Sequence, residues 1–290
     1  MNSPDMTPAV AKTVEAVRQA VSAARREGKS VGLVPTMGAL HAGHISLVEA
    51  ARKECGFVVA TIFVNPAQFG PHEDLARYPR PLERDLAMCG AAGVDLVFVP
   101  EVATVYPPGF CTYVEVHGLQ DLWEGTSRPG HFRGVATVVL KLFNIVGADV
   151  AYFGQKDAQQ ARIIEQMVRD LDVPVRVAIQ PIVREPDGLA LSSRNVYLNP
   201  EQRRHAVALS AALQAAGARI AAGERSAVAV QRLLAEEIAA TPGAQLDYAA
   251  VIDAITLQPL EPLAGDVLLA LAVRFGHTRL IDNLRLRIGT

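Results

Sequence analysis

Two histidines, His41 and His44, lie three residues apart where a glycine-containing turn leads into an amphipathic run. An apolar run at residues 31–34 precedes them, so the pattern predicts a strand, a turn and a helix start. A helix N-terminus attracts phosphate, and two imidazoles add donors for charge that develops during phosphorus chemistry. The His-x-x-His spacing alone also fits two ordinary histidines. Gly38 and Gly43 permit close backbone approach, and in this position they favour phosphate binding.

Polar side chains also follow two further apolar runs, at residues 57–64 and 150–153. Lys156 is a compact charge that suits phosphate oxygens, although most lysines are solvated surface residues. Asp157 is equally well explained as a helix N-cap, and Gln160 lies on the same helical face as Lys156. Asn65 precedes a proline and is a typical turn residue. Gln68 is harder to explain as a turn residue, and its carboxamide can both donate and accept hydrogen bonds.

The string at residues 35–44 reads Pro-Thr-Met-Gly-Ala-Leu-His-Ala-Gly-His. Its last four residues match the HxGH signature of the nucleotidyltransferase superfamily, which includes class I aminoacyl-tRNA synthetases. The whole string resembles the pantothenate synthetase (pantoate–β-alanine ligase) family. Matching blocks follow in the same order at residues 62–69, 130–135, 152–157 and 191–195. Five ordered blocks are more specific than any one motif, and the resemblance extends from about residue 10 to the C-terminus.

The resemblance implies an adenylate-forming ligation. The carboxylate of (R)-pantoate would attack the α-phosphate of ATP, giving pantoyl adenylate and pyrophosphate, and β-alanine would then displace AMP. Negative charge gathers around the α-phosphorus, so the site needs donors and cations more than a strong base. The implied catalytic residues are His44, His41, Lys156 and Arg194. Homodimerisation is a further implication of the resemblance.

The resemblance also assigns binding residues. Gln68 and Gln160 would contact pantoate, and Gln68 would also contact β-alanine. Residues 191–194 would act as the mobile KMSKS loop of the superfamily and close on the ATP phosphates. The implied ATP site comprises Met37, Gly38, Ala39, Leu40, His41, Ala42, Gly43, His44, Gly154, Gln155, Lys156, Asp157, Val183, Leu191, Ser192, Ser193 and Arg194.

The chain departs from the family pattern at three positions. Leu191 replaces a methionine, which preserves a backbone contact to adenine but not a thioether contact. Gln155 replaces a common glutamate, and we expect little effect. Arg84 replaces a residue that is often acidic in the family, and this argues against a metal site formed by protein ligands. We expect no protein metal site: Mg²⁺ would be held mainly by ATP phosphates and water, with Asp85 as a candidate helper.

Two other functions fit parts of the pattern. An HxGH nucleotidylyltransferase would use the same histidines on a phosphorylated substrate, but residues 62–70 offer neutral amides rather than several basic groups. A non-catalytic nucleotide-binding module would not need Lys156 and the 191–194 block. The roles of Arg128, His131 and Arg133 stay open, since arginines near glycine are common at surfaces.

The composition of the chain argues against nucleic-acid binding and against a membrane span. The 290 residues are 50% hydrophobic and 20% charged, and the formal net charge of −2 argues against nucleic-acid binding. Residues 1–11 lack the apolar region of a signal peptide, and no apolar stretch is long enough to span a membrane. Three widely spaced cysteines form no metal or redox motif, which indicates reduced thiols and a cytoplasmic location.

Strands that alternate with helices predict an α/β fold, a Rossmann-like parallel sheet with helices on both faces. After about residue 183 the pattern predicts a smaller C-terminal α+β domain. We therefore expect a nucleotide- and pantoate-binding domain at residues 1–183 and a lid domain at 184–290. The predicted strands are 31–34, 57–64, 94–99, about 113–116, 150–153, 175–181, 246–252, 267–275 and 279–283. The predicted helices are 13–26, 44–54, 81–92, 135–146, 158–170, 200–222 and 226–240.

Overall fold

The computed structural model describes residues 7–71 and 73–289, which form two compact units. The first unit contains residues up to Gly154 together with Gln160–Pro181. The second contains Gln155–Gln159 together with the residues from Ile182 onward. Within the described ranges, no helix has the length and apolar character that a membrane crossing requires.

A six-stranded sheet forms the centre of the first unit, and all its adjacent strands are parallel. The strands are β1 (Ala9–Ala11), β2 (Val31–Thr36), β3 (Phe57–Ile62), β4 (Leu96–Phe98), β5 (Val150–Gly154) and β6 (Arg176–Gln180). Their spatial order is β1-β4-β3-β2-β5-β6, so the direction of chain progression reverses between β2 and β5. Ligands of such sheets bind at the carboxyl ends of the strands beside this reversal.

Helices cover both faces of this sheet, because the central strands bury side chains on both sides. On one face α2 (Ala42–Glu54) and α3 (Leu82–Ala91) bury apolar side chains against β3. On the other face α1 (Val14–Arg26) and α6 (His131–Val146) pack against each other and against β2. These observations confirm the predicted Rossmann-like fold. The chain also forms α4 (Val102–Val105), α5 (Glu124–Ser127) and α7 (Ala158–Asp170).

The second unit combines helices with an antiparallel three-stranded sheet. Its elements are α8 (Pro200–His205), α9 (Ala208–Ala221), α10 (Ala227–Ala239), β7 (Ala244–Asp253), β8 (Gly265–Phe275) and β9 (Thr278–Ile288). The strand order in the sheet is β7-β8-β9. Alternate residues of β8, from Val267 to Phe275, are buried against α9 and α10, which gives the unit its own core. This agrees with the predicted C-terminal α+β domain.

Three local predictions were wrong or incomplete. No strand forms at residues 113–116, because the N–H of Val114 donates to Thr137 Oγ1 of α6 at 2.9 Å. The predicted helix 200–222 is two helices, since Leu209 N–H bonds the Ala206 carbonyl three residues earlier and the α-helical pattern is interrupted there. Strand β1 was missed, because three residues give too short a pattern to detect.

Candidate functional site

The turn after β2 is held by side chains at successive backbone N–H groups. Thr36 Oγ1 accepts from Gly38 N–H at 3.1 Å and donates to the Thr61 carbonyl at 2.6 Å. The carboxylate of Asp85 accepts from Ala39 N–H and Leu40 N–H, each at 2.8 Å. Ala39 has a left-handed φ of 51°. The turn is thus a fixed structure that leads directly into α2.

His41 and His44 use their ring Nδ1 atoms to cap α2. His41 Nδ1 accepts from Gly43 N–H at 3.1 Å, and His44 Nδ1 accepts from His41 N–H at 3.3 Å. A backbone N–H can only donate, so both Nδ1 atoms carry lone pairs and each neutral ring holds its hydrogen on Nε2. The backbone N–H groups of His41 and Gly43 are therefore not open to phosphate, contrary to the simplest expectation. The side-chain donors of this motif are the two Nε2–H groups.

Gln68 is buried and oriented by neighbours from three parts of the first unit. It ends a 3₁₀ turn, Pro66–Gln68, just after β3. Asn65 Nδ2 donates to Gln68 Oε1 at 3.0 Å, and Gln68 Nε2 donates to Met37 Sδ at 3.1 Å. Tyr106 Oη donates to Asn65 Oδ1 at 2.8 Å, and burial raises the pKa of Tyr106 to about 12. Asn65 therefore acts in the turn, as expected, and also fixes the amide of Gln68.

Gly134 explains how helix α6 approaches this turn. A Cβ atom at position 134 would lie 2.2 Å from the Ala67 carbonyl oxygen, so only glycine fits. Asn65 Nδ2 also donates to the Gly134 carbonyl at 3.1 Å. The sequence predicts a binding role for Gln68 but none for Tyr106, because a tyrosine 41 residues from Asn65 has no local pattern that links the two.

Arg128 and His131 hold the backbone of Gln68. Arg128 forms two hydrogen bonds to the Glu73 carboxylate, at 2.6 and 2.7 Å. His131 Nδ1 donates to the Gln68 carbonyl at 2.8 Å, so its Nε2 accepts from Arg128 Nη1 at 3.0 Å. Burial, followed by the Arg128 charge, lowers the pKa of His131 to about 4. Arg133 lies apart from this group and stacks over the Tyr113 ring at 4.8 Å.

In the second unit, Asn283 of β9 fixes the segment that carries Lys156. Asn283 Nδ2 donates to the carbonyls of Gln155 and Lys156, both at 2.9 Å. Gln155 Nε2 donates to Asn283 Oδ1 at 3.0 Å. A glutamate at position 155 could not form this bond, because an ionised carboxylate has no hydrogen to donate. Lys156 Nζ lies 3.9 Å from Asp157 Oδ1. No pattern in the sequence predicts this role for Asn283, which stands 127 positions after Lys156.

The remaining predicted residues lie in ordinary local structure. Val183 and Leu191 pair through the Leu191 N–H and the Val183 carbonyl at 3.0 Å, in a short hairpin. Ser192 caps the 3₁₀ turn Ser193–Tyr197, and its Oγ accepts from Arg194 N–H at 3.3 Å. The solvated serine turn and a phosphate-binding loop are both compatible with this geometry. Gln160 is half-buried in the first turn of α7 of the first unit.

Asp85 does not have the geometry of a metal ligand. Both carboxylate oxygens accept backbone N–H groups of the turn, and the residue is fully buried. The described residues also contain no group of three His, Cys, Asp or Glu side chains that could hold a metal ion. The suggestion that Asp85 assists Mg²⁺ is therefore not supported by its contacts.

Comparison with known proteins gives a consistent family. The family model described as pantoate-beta-alanine ligase matches residues 9–285. The pantothenate synthetase of Moorella thermoacetica is 59% identical over 278 residues, which cover 96% of this chain and 98% of the relative. That of Chloroflexus aurantiacus J-10-fl is 56% identical over 275 residues, covering 94% of this chain and 96% of the relative.

Solved structures agree with the sequence relatives. The pantothenate synthetase of Thermus thermophilus superposes with a TM-score of 0.91 at 50% identity, covering 97% of this chain and 100% of that structure. The pantoate-beta-alanine ligase of Francisella tularensis gives 0.78 at 32% identity, covering 96% and 97%. That protein was crystallised with beta-gamma ATP and β-alanine. Both structures match nearly the whole of both units.

Proposed function

The chain belongs to the pantoate–β-alanine ligase family, and from this premise we propose that it condenses pantoate with β-alanine. The reaction uses ATP and releases AMP and pyrophosphate through a pantoyl adenylate. One observation of this structure carries the proposal furthest: both HxGH histidines are held as neutral rings with hydrogen on Nε2. Two preorganised N–H donors suit an α-phosphate that gains negative charge.

The histidines act as donors in this mechanism. The pantoate carboxylate attacks the α-phosphorus, and charge grows on the phosphoryl oxygens and on the departing pyrophosphate. His41 and His44 stabilise that charge through Nε2–H, with no proton transferred in this step. Their Nδ1 atoms remain bonded to backbone N–H groups throughout, so the rings need no reorientation. Residues 37–44 contribute the rest of this part of the ATP site.

Gln68 binds both small substrates. Asn65 and Met37 already fix its amide, and the residue is buried, so little conformational freedom is lost when a substrate arrives. A carboxamide recognises the hydroxyl and carboxylate of pantoate and then the amine of β-alanine. We assign Gln160 to pantoate as well.

Two basic side chains belong to the proposed ATP-binding residues. We assign Lys156 and Arg194 to the phosphates of ATP, and Asp157 to the ribose. Ser192 and Ser193 contribute hydroxyls, while Gly154, Gln155, Val183 and Leu191 contact the nucleotide. Mg²⁺ enters as the complex with ATP, held by phosphate oxygens and water, as this ion prefers.

The decisive experiment is pyrophosphate exchange. Labelled pyrophosphate should enter ATP in the presence of pantoate and Mg²⁺ without β-alanine, and rapid quenching should trap pantoyl adenylate. Release of ADP would indicate γ-phosphoryl transfer instead. Active protein that shows no pantoate-dependent exchange would overturn the adenylate mechanism.

Assembly and location are separate proposals. We propose a homodimer, which sedimentation equilibrium tests directly. We also propose that the enzyme works in the cytoplasm, since Cys55, Cys89 and Cys111 are all unpaired thiols. Fractionation of the source cells tests the location.

A further inference from the structure

Asp85 is the most buried charged group beside the HxGH turn. Its relative exposure is 0%, and it lies in the first half of α3, after Pro81. An ionised carboxylate is tolerated there because it accepts two backbone N–H bonds and because a helix N-terminus favours negative charge. A buried charge with such contacts needs a structural or functional reason.

The two N–H groups belong to a strained part of the chain. Ala39 has φ of 51°, a left-handed conformation that a residue with a Cβ adopts unwillingly. A Cβ at Gly38 would lie 3.0 Å from Asp85 Oδ2, so the carboxylate packs directly under the turn. Asp85 therefore bonds the backbone at an unfavourable conformation, two residues before His41.

We propose that Asp85 is a positioning residue for the adenylation step, an inference that rests on the proposed ligase function. By fixing the N–H groups of Ala39 and Leu40, the Asp85 carboxylate sets the position at which the chain enters α2. It thereby sets the positions of the His41 and His44 side chains. The carboxylate acts through the turn and does not ligate Mg²⁺. Adjacent N–H groups are held in the same way, by Thr36 and by the histidine rings.

The test replaces one oxygen at constant size. Asp85→Asn keeps one acceptor and turns an N–H₂ group towards the other backbone N–H, so one bond becomes a repulsion. We expect the turnover rate of pantoate-dependent pyrophosphate exchange to fall at least tenfold. The pantoate dissociation constant, and the Mg²⁺ concentration for half-maximal rate at saturating ATP, should change less than twofold.

Asp149 provides a matched control. It contacts the first residue of β2, whereas Asp85 contacts the turn that follows the last residue of β2. Asp149 Oδ2 accepts from Val31 N–H at 2.7 Å, so it is also a carboxylate that holds a backbone N–H of β2. Asp149→Asn should lower thermal stability but leave the exchange rate within twofold of the unsubstituted enzyme. An equal loss of rate in both variants would overturn the proposal, because the effect would then be general destabilisation.

Two further results would also overturn it: an unchanged exchange rate in Asp85→Asn, or a tenfold rise in its Mg²⁺ requirement, which would indicate metal ligation. If Asp85→Asn does not fold, Asp85→Glu retains both acceptors and shifts them by one methylene. The same fall in exchange rate, with unchanged pantoate and Mg²⁺ dependence, is expected for it.

Amide hydrogen exchange gives a readout that does not depend on the ligase function. Exchange at Ala39 and Leu40 should accelerate at least tenfold in Asp85→Asn and not in Asp149→Asn; unchanged protection would refute the positioning role.

Discussion

The two ring nitrogens of His44 have different expected functions, one in capping α2 and one in catalysis. Substitutions that replace only one of the two nitrogens can separate these functions. Its Nδ1 accepts the His41 N–H, and its Nε2–H is the donor assigned to the α-phosphate. Asparagine can place an amide oxygen near the Nδ1 position but does not reach the Nε2 position. Glutamine can place an N–H near the Nε2 position but leaves the cap unmade. Alanine removes both groups.

The two functions differ in expected magnitude. The cap has an N···N distance of 3.3 Å, which is long, so its loss should cost about 0.5–1 kcal/mol of folding stability. Loss of one preorganised donor to a developing oxyanion typically costs about 3–4 kcal/mol of barrier, a factor of about 10²–10³. His44→Asn should therefore fold almost as well as the unsubstituted protein and lose most of its rate. His44→Gln should show the opposite balance.

Pyrophosphate exchange and urea unfolding measure the two quantities on the same samples. We expect exchange in His44→Gln to be at least tenfold faster than in His44→Asn, with His44→Ala as slow as His44→Asn and less stable. Near-normal exchange in His44→Asn would refute the role of Nε2–H. A His44→Gln variant as slow as His44→Ala would show that the cap, rather than the donor, is what the reaction requires.

The other predictions concern the groups around Gln68 and Lys156. Gln68→Ala should weaken pantoate binding by about 1–3 kcal/mol and leave the KM for ATP unchanged, which calorimetry and kinetics test. Lys156→Ala should slow exchange, and Asn283→Ala should slow it less, since Asn283 only fixes the Lys156 backbone; normal single-turnover adenylation in Lys156→Ala would exclude the phosphate role. Below pH 6.5 the unfolded His131 takes up a proton while the folded one, with a pKa of about 4, does not, so up to about 3 kcal/mol of stability should be lost by pH 4. Urea unfolding from pH 7.5 to pH 4 should show this loss, and His131→Gln should reduce it.

The hydrogen bonds of the first unit suggest why two types of side chain recur around its candidate site. Amides and neutral histidines dominate, and each donates on one side while it accepts on the other. Asn65 connects Tyr106, Gly134 and Gln68 in this way, and His131 connects Arg128 to the Gln68 backbone. Such chains fix the direction of every donor, which a carboxylate or a lysine does not do.

The sequence alone determined the family, the parallel sheet and most candidate residues. Hydrophobic periodicity reports local burial, so it located the strands before His41, Gln68 and Lys156, and parallel strands place their carboxyl ends along one edge. The ordered motif blocks predicted the family, and through it the reaction and the residue roles. The predicted roles of these residues stay predictions until the variants above are measured.

Only the tertiary structure decided which groups hold these residues in place. Asp85, Tyr106 and Asn283 each act on a residue 41 or more positions away, through hydrogen bonds that no local pattern encodes. The state of the histidines was equally hidden, because the spacing of His41 and His44 gives no direction for a ring nitrogen. That direction follows from which backbone N–H each Nδ1 meets once the turn and α2 have folded. A side chain's chemistry is local, but its partners are set by chain segments that only folding brings together.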